Sequence, residues 1–202
     1  MKILCIGRNY AAHAAELGNA VPEEPVVFCK PDSALLGRNL PFVIPSFTND
    51  VHHEIELVLR IGKVGKHIEP RFAHKYIDAV TVGIDFTARD LQSDLKSKGL
   101  PWEKAKGFDG SAVVGRFVSA DQVDLSNLHF SLTKNGVPVQ TGHSQYMLHS
   151  FADIISYVSR YFTLKTGDLI FTGTPEGVGP VHPGDVLEGY LGETSLFVRN
   201  VR

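Results

Sequence analysis

Three parts of this chain carry side chains that could do chemistry together. In His53-Glu54-Ile55-Glu56-Leu57-Val58-Leu59-Arg60-Ile61 the side chains alternate in character, the pattern of a strand. Residues two apart on a strand point the same way, so Glu54 and Glu56 are neighbours on one face with Val58 and Arg60. His53, Ile55, Leu57, Leu59 and Ile61 take the other face. Adjacent carboxylates repel unless water or a cation intervenes. A solvated outer face would supply the water, and a bound ion the cation. Asp85 follows the apolar run Ala79 to Ile84 and so stands at the end of a second, buried strand. Three hard oxygen donors, Glu54, Glu56 and Asp85, would suit Mg²⁺ or Mn²⁺ and leave positions open for water and substrate.

Near the N-terminus, His13 and Glu16 are three apart in an alanine-rich stretch, Ala11 to Leu17, that reads as a short helix. Asn9 is its expected N-cap and Gly18 its stop. A carboxylate that orients a histidine is the usual arrangement for a general base, and a surface pair without function has the same spacing. The run Phe171-Thr172-Gly173-Thr174-Pro175-Glu176-Gly177-Val178-Gly179-Pro180 lacks the Gly-Lys-Ser/Thr ending of a phosphate loop. It reads either as a plain turn or as a rigid loop offering backbone N–H groups and the Thr174 hydroxyl to a small carboxylate.

The elements that must hold these groups are mostly strands. Glycine (19) and proline (11) are spread along the whole chain as turn punctuation, which suggests many short strands. Strand-like runs lie at 25–29, 53–61, 79–84, 129–133, 168–172 and 195–198, and Asn135-Gly136 has the signature of a tight hairpin turn. Beyond 11–17, helices are expected at 72–76 and at 151–162, where Ile154, Ile155, Val158 and Phe162 share a face. Without regular β-α-β alternation, the expectation is one mostly antiparallel, β-rich α+β domain over 1–202.

A formal charge of −2 with no basic block argues against nucleic acid or an anionic membrane as a partner. No apolar run approaches the length of a signal-peptide core or a membrane helix. Cys5 and Cys29 form no Cys-x-x-Cys and read as buried free thiols in a reducing compartment, so a cytoplasmic protein is expected.

Taken together, these segments resemble the fumarylacetoacetate hydrolase superfamily, most closely its small acylpyruvate hydrolase/oxaloacetate decarboxylase branch. The resemblance runs through Gly7-Arg8-Asn9-Tyr10, His52-His53-Glu54-Ile55-Glu56, Gly83 to Asp90, Lys98 to Trp102, Ala105 to Gly110 and Thr172 to Pro180, covering nearly the whole chain in order. It implies a mixed β-roll or β-sandwich with a few short helices, usually paired as a homodimer. It implies Glu54, Glu56 and Asp85 as ligands of Mg²⁺ or Mn²⁺, His13 and Glu16 as a water-activating pair, and Lys106 as an active-site lysine. Arg89 and Gln92 fall on the polar edge of the substrate pocket; Arg8, Lys30 and Thr174 match further substrate-binding positions. Gly107 stands where the branch often has serine.

The implied substrate is a small 2-oxo acid, such as an acylpyruvate or oxaloacetate. Chelated through its carboxylate and 2-oxo oxygens, it would gain an electron sink when the C3–C4 bond breaks. In hydrolysis His13 with Glu16 would deprotonate the attacking water and Lys106 would stabilise the oxyanion; decarboxylation needs no water. Two other readings stay open: an isomerase or decarboxylase of aromatic meta-cleavage, with acyl-group size set by a lid near Gly18 to Glu24, and an inactive binding domain of the same fold.

Overall fold

Short apolar runs punctuated by glycine and proline fold into fourteen strands and four α-helices among the residues described by the computed structural model, which are 1–16, 18 and 21–202. The first half holds β1 (Ile3–Gly7), α1 (Ala11–Glu16), β2 (Val26–Lys30), β3 (Val51–His53), β4 (Ile55–Ile61), β5 (Ile77–Asp85) and β6 (Thr87–Ala88). Two helices follow, α2 (Arg89–Ser97) and α3 (Glu103–Lys106), then β7 (Ala112–Val114), β8 (Val118–Ser119), β9 (His129–Lys134) and β10 (Val137–His143). The chain closes with α4 (Phe151–Tyr161), β11 (Leu169–Phe171), β12 (Gly179–Pro180), β13 (Val186–Leu191) and β14 (Thr194–Asn200).

The largest sheet runs β2-β1-β11-β4-β5-β7, with β8 also on β5. Its one parallel pair joins β1 to β11, strands far enough apart in sequence for the long crossover that parallel pairing requires. A second sheet runs β10-β9-β13-β14 and a small third one β12-β3-β6. Asn135 and Gly136 turn β9 into β10 with φ of 55° and 79°, the left-handed pair of a type I′ hairpin. The mixed, β-rich fold with short helices is thus the one expected.

Both faces of β4 are used. Ile55, Leu57, Leu59 and Ile61 join Phe130, Leu132, Leu187, Ile154, Ile155 and Val158 in the main apolar core. The other face passes from Arg60, whose guanidinium pairs with Asp78 in solvent, to Val58, Glu56 and Glu54, all buried. The solvated outer face for the two glutamates is therefore corrected: both side chains are buried in the interior.

Helix α4 begins on a capping box between Ser150 and Asp153. The helix expected at 72–76 is instead a 3₁₀ stretch, Pro70–Tyr76. Asn9 does not cap α1; its side chain accepts from His149 N–H and donates to the His149 and Thr172 carbonyls, tying the segment before α1 to the ends of two distant elements. Gly18 lies past α1 at φ +63°, donating to the Ala15 carbonyl, a suitable stop; Leu17, the expected last helical residue, lies outside the described residues, as do Asn19 and Ala20 of the expected lid. Cys5 is buried and Cys29 half-buried, both free. Among the described residues no helix is long and apolar enough to cross a membrane.

Candidate metal centre

The three carboxylates come together because β4 starts and β5 ends at the same level. Glu56 lies opposite Gly83 in the β4–β5 ladder, and the Glu54 carbonyl accepts from Asp85 N–H at 2.9 Å. A side chain at Gly83 would lie 2.4 Å from the Val113 carbonyl, so glycine is needed for the strands to close up behind the site. One oxygen from each of Glu54, Glu56 and Asp85 lies within 4.8 Å of the others, and the residues are 4%, 2% and 0% exposed. The ladder is interrupted at Glu54, between β3 and β4. There Ile55 N–H donates to Gln140 Oε1 at 3.0 Å rather than to a neighbouring strand.

Cations surround two of the three acids. Lys106 Nζ donates to Glu54 Oε2 and Asp85 Oδ2, both at 2.8 Å, and to Thr87 Oγ1 at 2.7 Å. Arg89 donates to Glu54 Oε1 and, at 2.6 Å, to Gln92 Oε1. Lys30 Nζ stands 2.7 Å from Asp85 Oδ1, off hydrogen-bonding geometry, and donates to the Lys106 carbonyl and Ser111 Oγ. Burial pushes the Glu54 carboxyl up, but Lys106 and Arg89 together outweigh it and hold it well below the usual range. Burial likewise opposes the Lys106 charge, and Asp85 and Glu54 outweigh it, raising the ammonium.

Glu56 differs. Its Oε2 accepts Gly173 N–H at 2.7 Å, and no lysine or arginine among the described residues pairs with it. Burial, then Asp85 and Glu54, raise its carboxyl well above the normal value. A buried, unpaired carboxylate beside two others is a site where a cation relieves repulsion. The donors are all carboxylate oxygens, the set that hard divalent ions such as Mg²⁺ and Mn²⁺ prefer, and each oxygen retains a lone pair beyond its present hydrogen bond. The residues present therefore fit such an ion.

The triad forms the floor of a pocket of about 130 Å³. Of the residues expected at a site, Arg8, His13, Glu54, Glu56, Asp85, Arg89, Gln92, Lys106 and Thr174 all line it, together with Phe28 and Trp102 as an apolar wall. Glu16 lies outside the lining and holds His13 Nδ1 at 3.2 Å. Lys30 is placed behind Asp85, as a brace and not on the pocket wall.

The glycine-rich loop after β11 behaves differently from expectation. Its amides at Gly173 and Gly177 go to Glu56 and Glu16, carboxylates of the chain itself, and not to a free ligand. Gly173 has φ +101° and a side chain there would lie 2.6 Å from Asn9 Cβ, so only glycine fits. A side chain at Gly107 would press to 3.0 Å on Pro31 and the Glu103 carbonyl, which matches the absence of serine there.

Residue-by-residue reading missed Gln140. Buried in β10, it accepts from Ile55 N–H and His53 Nδ1 and donates to Thr174 Oγ1 and the Pro175 carbonyl, all within 3.0 Å. It joins the interrupted strand at Glu54 to the Thr174 loop. The Thr174 hydroxyl accepts from Gln140 and directs its own proton at the Pro175 carbonyl, a long contact of 3.4 Å. Trp102 and Ser93 were also unforeseen in the lining; the only sequence signal was their place within or beside the matching segments.

Comparison with known proteins agrees with this geometry. The family described as fumarylacetoacetate hydrolase, C-terminal, matches residues 2–199. The oxaloacetate tautomerase YcgM of Escherichia coli (strain K12) is 45% identical over 98% of this chain and 91% of its own length. The mitochondrial oxaloacetate decarboxylase of Dictyostelium discoideum is 44% identical over 93% of this chain and 87% of its own. The crystal structure of fumarylpyruvate hydrolase from Pseudomonas aeruginosa, in complex with Mn²⁺ and pyruvate, superposes with a TM-score of 0.94 at 40% identity, covering 100% of this chain and 89% of that one.

Proposed function

The chain belongs to the fumarylacetoacetate hydrolase family, and from that premise we propose that it is a divalent-metal-dependent enzyme acting on small 2-oxo acids, as a C–C bond hydrolase, a decarboxylase or both. The observation that carries the proposal is the buried triad Glu54, Glu56 and Asp85 on the floor of a small pocket whose other polar lining is mainly cationic. Those three residues would hold Mg²⁺ or Mn²⁺, which would supply Lewis-acid stabilisation of the negative charge that develops on the 2-oxo oxygen of a 2-oxo acid as a bond at C3 breaks.

The remaining steps belong to the chain's own side chains. Lys106, kept charged by Glu54 and Asp85, stabilises negative charge that develops on substrate oxygen. Arg89, fixed by Glu54 and Gln92, and the Thr174 hydroxyl, fixed by Gln140, orient the acid group. His13 lines the pocket through a ring oriented by Glu16, which is itself held by Gly177 N–H. In hydrolysis His13 takes the proton of the water that attacks the acyl carbonyl; in decarboxylation no such proton transfer is needed. Phe28 and Trp102 limit the water around the reacting atoms.

We also place the enzyme in the cytoplasm, on the strength of its two free thiols, and take it to be a homodimer, as open strand edges favour pairing. Sedimentation would then give twice 22.1 kDa. The function is tested by offering acetylpyruvate and oxaloacetate to chelator-treated protein, with and without restored Mn²⁺ or Mg²⁺. Metal-dependent consumption of either one is expected. Metal-independent turnover, or none, would overturn the reading.

A further inference from the structure

Asn9 does not line the pocket, yet its whole side chain is spent on backbone that leads there. It is 0% exposed. Its amide nitrogen donates to the Thr172 carbonyl at 2.8 Å and to the His149 carbonyl at 3.1 Å, and its amide oxygen accepts from His149 N–H at 2.8 Å. A buried asparagine supplies two donors and an acceptor; an ionised aspartate of the same shape supplies acceptors alone. The backbone of Asn9 is held too, its carbonyl accepting from Leu148 N–H at 2.8 Å. Arg8, just before it, has φ 60°, a left-handed conformation that a residue with a side chain keeps only where its surroundings enforce it.

The Thr172 carbonyl belongs to the same peptide unit as Gly173 N–H. That unit is planar and trans, so its carbonyl and its N–H point in opposite directions and turn together. One end accepts from Asn9 at 2.8 Å; the other donates to Glu56 Oε2 at 2.7 Å. Glycine at 173 lets the two approach, since a side chain there would lie 2.6 Å from Asn9 Cβ. Glu54 is fixed by Lys106 and Arg89, and Asp85 by Lys106 and Lys30. Glu56 has this peptide instead. We propose that Asn9 is a positioning residue for Glu56: through the Thr172–Gly173 peptide it sets how that carboxylate faces the other two, and so how well the triad fits a divalent ion. The assignment rests on the metal reading of the triad and adds to it a residue outside the pocket.

The test is a set of Mn²⁺ affinities, read from the electron paramagnetic resonance of the free ion so that weak binding is counted. Asn9→Asp keeps the shape and the acceptor for His149 N–H but turns a carboxylate oxygen toward the two carbonyls. Its Mn²⁺ affinity should fall ~10- to 100-fold, the usual loss when a group that orients a metal ligand is removed. Asp168→Asn serves as the control, because Asp168 ties the starts of the same two strands, β1 and β11, far from the pocket; it should leave Mn²⁺ affinity unchanged. In Glu56→Ala, which has no carboxylate to position, adding Asn9→Asp should lose nothing further, since residues that act as a unit are not additive. Should Asn9→Asp not fold, Asn9→Ala, which removes the bonds without adding a charge, carries the same comparison. An unchanged affinity in the Asn9 variant, an equal loss in Asp168→Asn, or an equal loss on top of Glu56→Ala would overturn the positioning role and leave the triad standing. If the unmodified protein binds no Mn²⁺, the metal reading fails, and the role of Asn9 with it.

Discussion

Glu54 and Glu56 are two residues apart and equally buried, yet the structure predicts opposite consequences for neutralising them in the metal-free protein. Glu54 is held by Lys106 and Arg89. Glu54→Gln breaks a buried ion-pair network, a change that typically costs 3–5 kcal/mol. For a chain of this size that lowers Tm by roughly 6–20 °C, at about 2–4 °C per kcal/mol. Glu56 has one backbone donor and two like-charged neighbours within 4.8 Å. At an effective dielectric of ~20 each such pair costs at least about 3.5 kcal/mol when both acids are ionised, which is why burial, Asp85 and Glu54 favour its neutral form. Glu56→Gln copies that form, so in chelator the Tm should stay within ~4 °C of the parent. Both variants should lose at least ~100-fold in Mn²⁺ affinity, since even residues that only orient a metal ligand cost 10–100-fold. Differential scanning fluorimetry in EDTA and calorimetric Mn²⁺ titration read the two quantities separately. The reasoning fails if Glu56→Gln destabilises the metal-free protein as much as Glu54→Gln, or if it binds Mn²⁺ as the parent does.

His13→Ala should reduce acylpyruvate hydrolysis by ~10²- to 10⁴-fold, the usual contribution of a general base, and lower oxaloacetate decarboxylation much less; equal losses would show that His13 serves binding or folding. Gln140→Leu strands Ile55 N–H and the Pro175 carbonyl in the interior, which should cost about 3 kcal/mol. Because Glu54 lies between His53 and Ile55, Mn²⁺ binding should weaken as well, which paired fluorimetry and calorimetry would detect. Asp168 accepts from the Lys2 side chain and backbone and from Lys165 N–H. Burial pushes its carboxyl up, but these donors outweigh it and hold it below the ordinary value. Its stabilisation is therefore complete above the normal carboxylate range and is lost as pH falls through the depressed value. Asp168→Asn should lower Tm at neutral pH, with the gap to the parent closing below about pH 4; a gap that is constant with pH would refute this.

Strands were legible in the sequence wherever apolar residues alternated or ran together, as in β4, β5 and β9, and the Asn135-Gly136 turn was legible from its dipeptide. The triad was legible because strand periodicity puts Glu54 beside Glu56, and because Asp85, ending an apolar run, is carried into the interior by the strand before it. Helix α2 was not legible: Arg-Asp-Leu-Gln-Ser-Asp-Leu-Lys-Ser has only Leu91 and Leu95 to signal a buried face, and it is positioned by Asp90 bonding to Thr48 and Asn49 rather than by a wide apolar stripe. Without α2, the gathering of Arg89, Gln92 and Ser93 at one pocket could not be seen. Gln140 was hidden for another reason, since its four partners come from segments up to 87 residues away. The amides at Gly173 and Gly177 looked available to a ligand because Glu56 and Glu16, which take them, are distant in sequence.

Hydrolysis, decarboxylation and tautomerisation of 2-oxo acids share one requirement, loss or gain of a group at C3 with the electrons held by the 2-oxo carbonyl. The most direct measurement is therefore exchange of the pyruvate methyl protons for deuterium, followed by NMR in D₂O. Exchange in the presence of the protein and Mn²⁺ should exceed that with Mn²⁺ alone, stop on chelation, and be abolished in Glu56→Gln. Pyruvate that binds to the metal-loaded protein yet exchanges no faster than in its absence would contradict the assignment of this site to chemistry at C3.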